Sequence, residues 1–145
     1  MIFISGNILS NIDITYYAQI MNLKNFRGCF MRNQLFEKPL NDTECGVMNL
    51  NLASQHGEHW ICWYISKYGQ RFVFDSFGMN IPYELISYLN QNDDNKPIRR
   101  NDIVVQHYNT TECGRLCLFV LKSLNDDILF DDILQVLKIR YDRNV

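Results

Sequence analysis

The sequence predicts an α+β fold: a central, mostly antiparallel sheet with flanking helices, one of them buried and opening on a cysteine. Three observations carry this. Two runs rich in aromatic and β-branched residues, Trp60 to Ile65 and Arg71 to Phe77, flank the polar turn Lys67-Tyr68-Gly69 and read as a hairpin. From Cys113 to Leu124 the apolar residues occupy two faces of a helical repeat, the pattern of a buried helix. With 145 residues and 47% apolar content the chain can bury one core, so residues 1–145 read as a single domain.

The elements follow in order. Ile14, Tyr17, Ala18 and Met21 recur at helical spacing behind candidate caps at Ser10 and Asn11, which predicts a first helix of about ten residues. Residues 25 to 44 are irregular, punctuated by Arg27-Gly28, Pro39 and Asn41-Asp42, and read as loop with a short helix near Arg32 to Glu37. Val47 to Ala53 reads as a strand, and the hairpin comes next. Asn80 is the candidate cap of a helix with Pro82 in its first turn and Leu85, Ile86 and Leu89 on one face. A polar loop, Asn90 to Lys96, closes at Pro97, and Asp102 to His107 resumes as a strand. The buried helix then brings Cys113, Leu116, Cys117, Val120, Leu121 and Leu124 to one face, with Leu118 and Phe119 on another. A last helix begins near Asp131-Asp132, packs through Ile133, Leu134 and Leu137, and ends at Asp142-Arg143-Asn144.

Composition narrows the function. A net charge of -2 gives no broad basic face, so nucleic acid is not the expected partner. No run of about 18 apolar residues and no signal-type N-terminus is present, so the chain reads as soluble and intracellular, with no membrane partner. Five cysteines, an odd number in a chain able to fold without staples, read as free thiols.

Chemistry concentrates at Cys113. A thiol in the first turn of a buried helix meets the positive end of the dipole and unpaired amides, which favour the thiolate. Gly114 behind it would let a substrate backbone approach closely. A lone buried cysteine is more often a small core residue, so this thiol needs an imidazole to share its proton and a further group to fix the imidazole's tautomer. The histidines are His56, His59 and His107. A three-residue hairpin loop sets Ser66 against Gln70, Ile61 against Asp75 and His59 against Phe77. His59 and Asp75 are then diagonal neighbours on one face, about 7–8 Å apart at the backbone, and a loop one residue longer or shorter would part them. Gln106 ends the next predicted strand, where its amide can serve an oxyanion beside the Cys113 N–H; taken alone, it is an ordinary strand-end residue.

These residues, in the order His59-Trp60, Asp75, Gln106 and Cys113-Gly114, give the chain its family likeness. From about Met21 to Leu124 it resembles the adenovirus-type cysteine proteases (adenain) and, more distantly, the SUMO-specific proteases of the same superfamily. The likeness is strongest in Gly57-Glu58-His59-Trp60, in Phe74-Asp75-Ser76-Phe77-Gly78 and from Gln106 through Cys113-Gly114-Arg115-Leu116-Cys117; Asn25-Phe26-Arg27-Gly28 is similar to the family's Phe-Pro-Gly segment. The resemblance implies that Cys113 is the nucleophile, His59 the general base and acid, Asp75 its orienting acid and Gln106 the oxyanion donor. It implies that Trp60 shapes a narrow cleft for glycine-containing substrate backbones. Asp75 stands where adenain has Glu, as in the SUMO-specific branch. Adenain's activating peptide is tethered through a cysteine between the acid and the glutamine, and Ser76 to Val105 contains none. A disulfide-tethered activator is therefore not expected, nor, given the charge, is the family's DNA cofactor.

Rival readings are weaker. Thr43-Glu44-Cys45-Gly46 repeats Thr111-Glu112-Cys113-Gly114, but Cys45 leads into a strand and has no helix dipole. His56, His59 and Cys62 do not form a zinc set, because alternate strand positions face opposite ways and no CxxC is present. His107 should point away from Gln106, and Cys117, one turn below Cys113, reads as core packing. The expected function is a monomeric cysteine endopeptidase that matures viral precursor proteins in the virion or in the host nucleus or cytoplasm. The alternatives are a protease for ubiquitin-like modifiers, or a non-catalytic module or acyltransferase on the same fold.

Overall fold

In the computed structural model, which describes residues 8–35, 38–51, 59–91 and 95–143, the chain runs α1 (Asn11–Ile20), β1 (Phe26–Met31), β2 (Glu44–Asn49), β3 (Trp60–Ile65), β4 (Arg71–Phe74), α2 (Tyr83–Leu89), β5 (Ile98–Arg100), α3 (Cys113–Asn125) and α4 (Phe130–Arg143). The strands form one sheet in the order β1-β2-β3-β4-β5. The α+β class holds, but the sheet is mixed rather than mostly antiparallel: β2–β3 and β3–β4 are antiparallel, whereas β1–β2 and β4–β5 are parallel.

The hairpin has the register that a three-residue loop dictates, with Cys62 opposite Phe74 and Ile65 opposite Arg71. The Ser66 amide donates to the Gln70 carbonyl at 2.9 Å, and Gly69 adopts φ +79°, a left-handed value that glycine takes without steric cost. Alternation along these strands divides the core. Trp60, Cys62, Phe72 and Phe74 face α1, α3 and α4, where they meet Ile14, Leu116, Leu121, Ile133 and Leu137. Ile61, Trp63, Ile65 and Val73 face α2 and meet Leu85, Tyr88 and Leu89. Each such aliphatic or aromatic side chain contributes about 1.5–3 kcal/mol by leaving water. α1 starts on a capping box: the Asp13 amide donates to Ser10 Oγ at 3.1 Å and the Ser10 amide to Asp13 Oδ2 at 2.9 Å.

Differences from the sequence reading have physical causes. β1 lies where a loop was expected, because the Arg27-Gly28 pair that reads as punctuation is an irregularity inside a strand. The register shifts between Phe26 and Cys29, and Gly28 takes φ +125°. Arg32 to Gln34 form a turn closed by the Gln34 amide on the Met31 carbonyl, not a helix; residues 36 and 37 lie outside the described residues. Asp102 to His107 is not a strand, and the edge strand is Ile98–Arg100 instead. Beyond Arg100, the Asn101 side chain takes the Asp75 amide (3.0 Å) and carbonyl (2.6 Å) in place of a main-chain partner, and the chain leaves the sheet. Finally, Pro82 rather than Asn80 is the N-cap of α2, while Asn80 Oδ1 accepts from Arg100 at 3.3 Å. β2 begins at Glu44 and ends at Asn49; Ala53 lies outside the described residues.

Candidate active site

His59 stands one residue before β3 and Asp75 one residue after β4, so both project from the same end of the hairpin. His59 Nε2 lies 2.8 Å from Asp75 Oδ1. Cys113 is the first residue of α3, which packs along β3 with the Cys117 thiol on the Trp60 carbonyl at 3.4 Å. That packing brings the helix start to the same sheet end, and the Cys113 thiol hydrogen-bonds the His59 ring. Burial works against charging His59, but the hydrogen bonds to Asp75 and Cys113, reinforced by electrostatic attraction, outweigh it. The ring rises from its ordinary 6.5 to about 9.

Each member of this row is held in turn. Asp75 Oδ1 also accepts the Phe77 amide at 2.9 Å, and the Asn101 side chain grips the Asp75 backbone. The Phe77 ring stacks on His59 with centroids 4.7 Å apart. Glu112 is the N-cap of α3 but makes no side-chain cap, so its carboxylate does not compete for the first-turn amides. Gln106 lies in the loop between β5 and α3, not on a strand. Ser76 Oγ donates to its Oε1 at 2.5 Å, and its Nε2 donates to the Thr110 carbonyl at 3.1 Å. The carboxamide is thereby fixed with its NH2 end toward the loop that leads into Cys113.

The two expected substrate contacts, Trp60 and Gly114, both meet Leu9. Trp60 is 5% exposed, and its indole donates from Nε1 to the Leu9 carbonyl at 2.8 Å. A Cβ on Gly114 would meet Leu9 Cβ at 3.2 Å and Ile14 Cδ1 at 3.4 Å. The Cβ position at Gly114 is thus faced by the chain's own Leu9 and Ile14.

Among the other candidates, Cys45 is buried in β2, where burial, with Cys62 and Glu44 beside it, pushes its thiol up to about 12. Cys117 is fully buried and is raised well above the ordinary range by burial and by Cys62. Cys113 is 2% exposed. His56, Gly57 and Glu58 lie outside the described residues. Sequence reasoning missed Ser76 and Asn101. Ser76 stood beside the acid in a quoted motif, but its role needs the fold; nothing local marks Asn101.

No family model matches the chain, and comparison with curated protein sequences finds no match. Solved structures do match. ASFV pS273R protease aligns at TM-score 0.65 in its selenomethionyl form, with 16% identity over 88% of this chain and 61% of that one. Its other crystal structure aligns at 0.62 with 19% identity and the same coverage. The SUMO protease Ulp1, with its catalytic cysteine oxidised to a sulfinic acid, aligns at 0.56 with 16% identity over 90% of this chain and 74% of that one. Spanning 61% of the length of the ASFV protease, the chain has the cysteine-protease fold that these two proteins share.

Proposed function

We propose that this protein is a cysteine endopeptidase, with Cys113 as nucleophile, His59 as general base and acid, Asp75 as the group that orients His59, and Gln106 as an oxyanion donor. The observation that carries the reading is the row in which the His59 ring bonds Asp75 on one side and the Cys113 thiol, at a helix start, on the other. A ring raised to about 9 is an imidazolium at neutral pH, the partner a thiolate needs.

In the acylation step, Cys113 Sγ attacks the scissile carbonyl carbon and the carbonyl oxygen takes the negative charge. Gln106 Nε2 and the Cys113 N–H donate to that oxygen, and losing one such donor typically costs about 2.7–4 kcal/mol of barrier. His59 gives its proton to the departing amine, leaving an acyl-thioester. Water then attacks the thioester as His59 takes its proton. The peptide acid departs, and the thiolate–imidazolium pair is restored.

For substrate, the reading is a viral precursor polypeptide with glycine near the scissile bond, favoured by the higher TM-score to the ASFV protease, 0.65 against 0.56. The second reading, the glycine tail of a ubiquitin-like modifier, draws on Ulp1 and its 74% coverage. The test treats the protein with a stoichiometric thiol alkylator, maps the adduct by mass spectrometry, and screens glycine-containing precursor peptides beside a ubiquitin-like precursor. Labelling of Cys113 that blocks cleavage supports the reading, and the cleaved substrate chooses between the two classes. Even labelling of all five cysteines without cleavage would overturn it.

A further inference from the structure

The loop from Gln106 to Cys113 carries two of the four residues assigned to the reaction, yet it is not part of the sheet. Its internal bonds are short-range: Thr110 turns back on the His107 carbonyl through both its amide (3.1 Å) and its hydroxyl (2.8 Å). Ser76 ties the Gln106 end to the sheet end, and contacts from outside the loop must set the rest of its placement. Topology supplies the means. α3 leaves the site and α4 returns, and helices of 13 and 14 residues each span about 20 Å, so the end of α4 comes back beside the start of α3.

There, two consecutive α4 residues take hold of the loop at its two ends. Arg140 pairs with Glu112, the neighbour of the nucleophile, as a two-pronged fork: Nη2 donates to Oε1, and Nη1 to Oε2 at 3.3 Å, with both side chains half-buried. Tyr141 stacks on His107, the neighbour of Gln106, with centroids 4.1 Å apart and ring planes 14° from parallel. His107 Nε2 also donates to the Tyr141 carbonyl at 3.1 Å, filling an acceptor that a helix's last turn leaves open. A planar fork fixes direction as well as distance, and stacked rings fix a plane. The Arg140 charge also offsets a carboxylate next to the nucleophile.

We propose that Arg140 and Tyr141 are positioning residues: the last turn of α4 braces the reactive loop, Arg140 setting Cys113 and Tyr141 setting Gln106. The proposal rests on the roles given to Cys113 and Gln106 above, and its test separates them. Alkylation of a thiol by iodoacetamide displaces iodide at a saturated carbon and forms no oxyanion, so it reads Cys113 without reading Gln106. Peptide cleavage reads both.

The experiment measures kcat, KM, the rate of Cys113 alkylation and Tm for the parent, Arg140→Met, Arg140→Lys and Tyr141→Ala. Arg140→Met should lower kcat about tenfold, leave KM within about twofold and slow alkylation about threefold, the scale of a small misplacement at the reacting atoms. Arg140→Lys, which keeps the charge but loses the fork, should recover part of both rates. Tyr141→Ala should lower kcat by a similar factor and leave alkylation at the parent rate. The brace is overturned if both positions leave kcat within about twofold of the parent, if the losses only follow a falling folded fraction, or if Tyr141→Ala slows alkylation as much as cleavage. If the parent cleaves no peptide, the proposed protease function fails instead. The alkylation arm still decides the brace: a slower Arg140→Met supports it and an unchanged one refutes it.

Discussion

Thr43-Glu44-Cys45-Gly46 and Thr111-Glu112-Cys113-Gly114 are the same four residues folded into two opposite settings. The first begins β2, with every residue of the strand buried. Its carboxylate lies inside the protein with each oxygen twice engaged. Glu44 Oε1 accepts from Arg27 (3.1 Å) and the Asn41 amide (2.8 Å), and Oε2 from Trp63 Nε1 (2.8 Å) and Tyr88 OH (2.6 Å). Its thiol donates to the Lys24 carbonyl. The second copy spans the entry to α3, where the carboxylate is half-buried on Arg140 and the thiol meets His59. The two cysteines are equally buried, so their neighbours, and not burial or residue type, separate the two thiols.

The widest separation between the copies should come from deleting each thiol. Cys113→Ala should reduce peptide cleavage by more than about 10⁴-fold, since nucleophile and base act as a unit. Cys45→Ala should keep cleavage within a few-fold and cost stability as a small core cavity, on the order of 1 kcal/mol. His59→Ala should match Cys113→Ala, and Asp75→Asn should retain more activity than either, as orienting groups do. Steady-state rates on one cleavable peptide check all four, and equal losses from Cys45→Ala and Cys113→Ala would erase the distinction.

The two glutamates come next. Glu44→Ala strands an indole N–H and a phenol inside the protein, takes the carboxylate partner from Arg27, and should cost about 3–5 kcal/mol. Glu112→Ala opens a half-buried pair whose partner can turn to solvent and should cost about 1 kcal/mol in stability. Urea unfolding of both variants measures the contrast; comparable shifts in the midpoint would mean that Glu44 is better solvated than its contacts imply.

The imidazole adds a pH dependence to one copy only. His59 is raised in the folded state from 6.5 to about 9. Its contribution to stability is therefore fully present below about pH 6.5 and is lost as pH rises through about 9, up to about 3 kcal/mol across that window. Because Asp75 and Cys113 cause the rise, Cys113→Ala should flatten the decline of Tm between pH 6.5 and 9, and Cys45→Ala should leave it intact. Parallel Tm profiles for the two variants would show that the decline comes from another group.

Much of this was readable from the residues because it depends on short-range rules. The hairpin register follows from Gly69 and a three-residue loop, and with it the meeting of His59 and Asp75. α1 and α3 follow from caps and apolar spacing. What escaped depends on distant partners. β1 is an edge strand broken by Gly28, so its residues do not alternate in burial. Arg140 and Tyr141 lie on a helix that sequence assigns only to packing, and their meeting with residues 112 and 107 exists only once α4 has turned back along α3. The parallel β4–β5 pairing needs a crossover through α2, and three residues, Ile98–Arg100, are too few to show a period.

The smallest contrast lies in the glycines, and it is the sharpest test of how each copy is packed. In β2, a Cβ on Gly46 would sit 2.4 Å from Trp63 Cη2 and 2.5 Å from Cζ2. The indole cannot yield easily, because its Nε1 is tied to Glu44 and its ring lies edge-on to Tyr88 with centroids 5.7 Å apart. Gly46→Ala should therefore cost about 1–3 kcal/mol as overpacking. On α3, the Cβ of Gly114→Ala would meet Leu9 and Ile14 at 3.2–3.4 Å, contacts that a shift of a few tenths of an ångström relieves. Alanine also gains about 0.8–1 kcal/mol of helix propensity over glycine, so the two effects nearly cancel and Tm should stay within a few degrees. Because Leu9 also accepts the Trp60 indole bond, any movement of that segment reaches the residue beside His59. Gly114→Ala should then be visible in kcat/KM before it is visible in Tm. A large loss of stability at Gly114 with none at Gly46 would reverse the packing assigned to both copies.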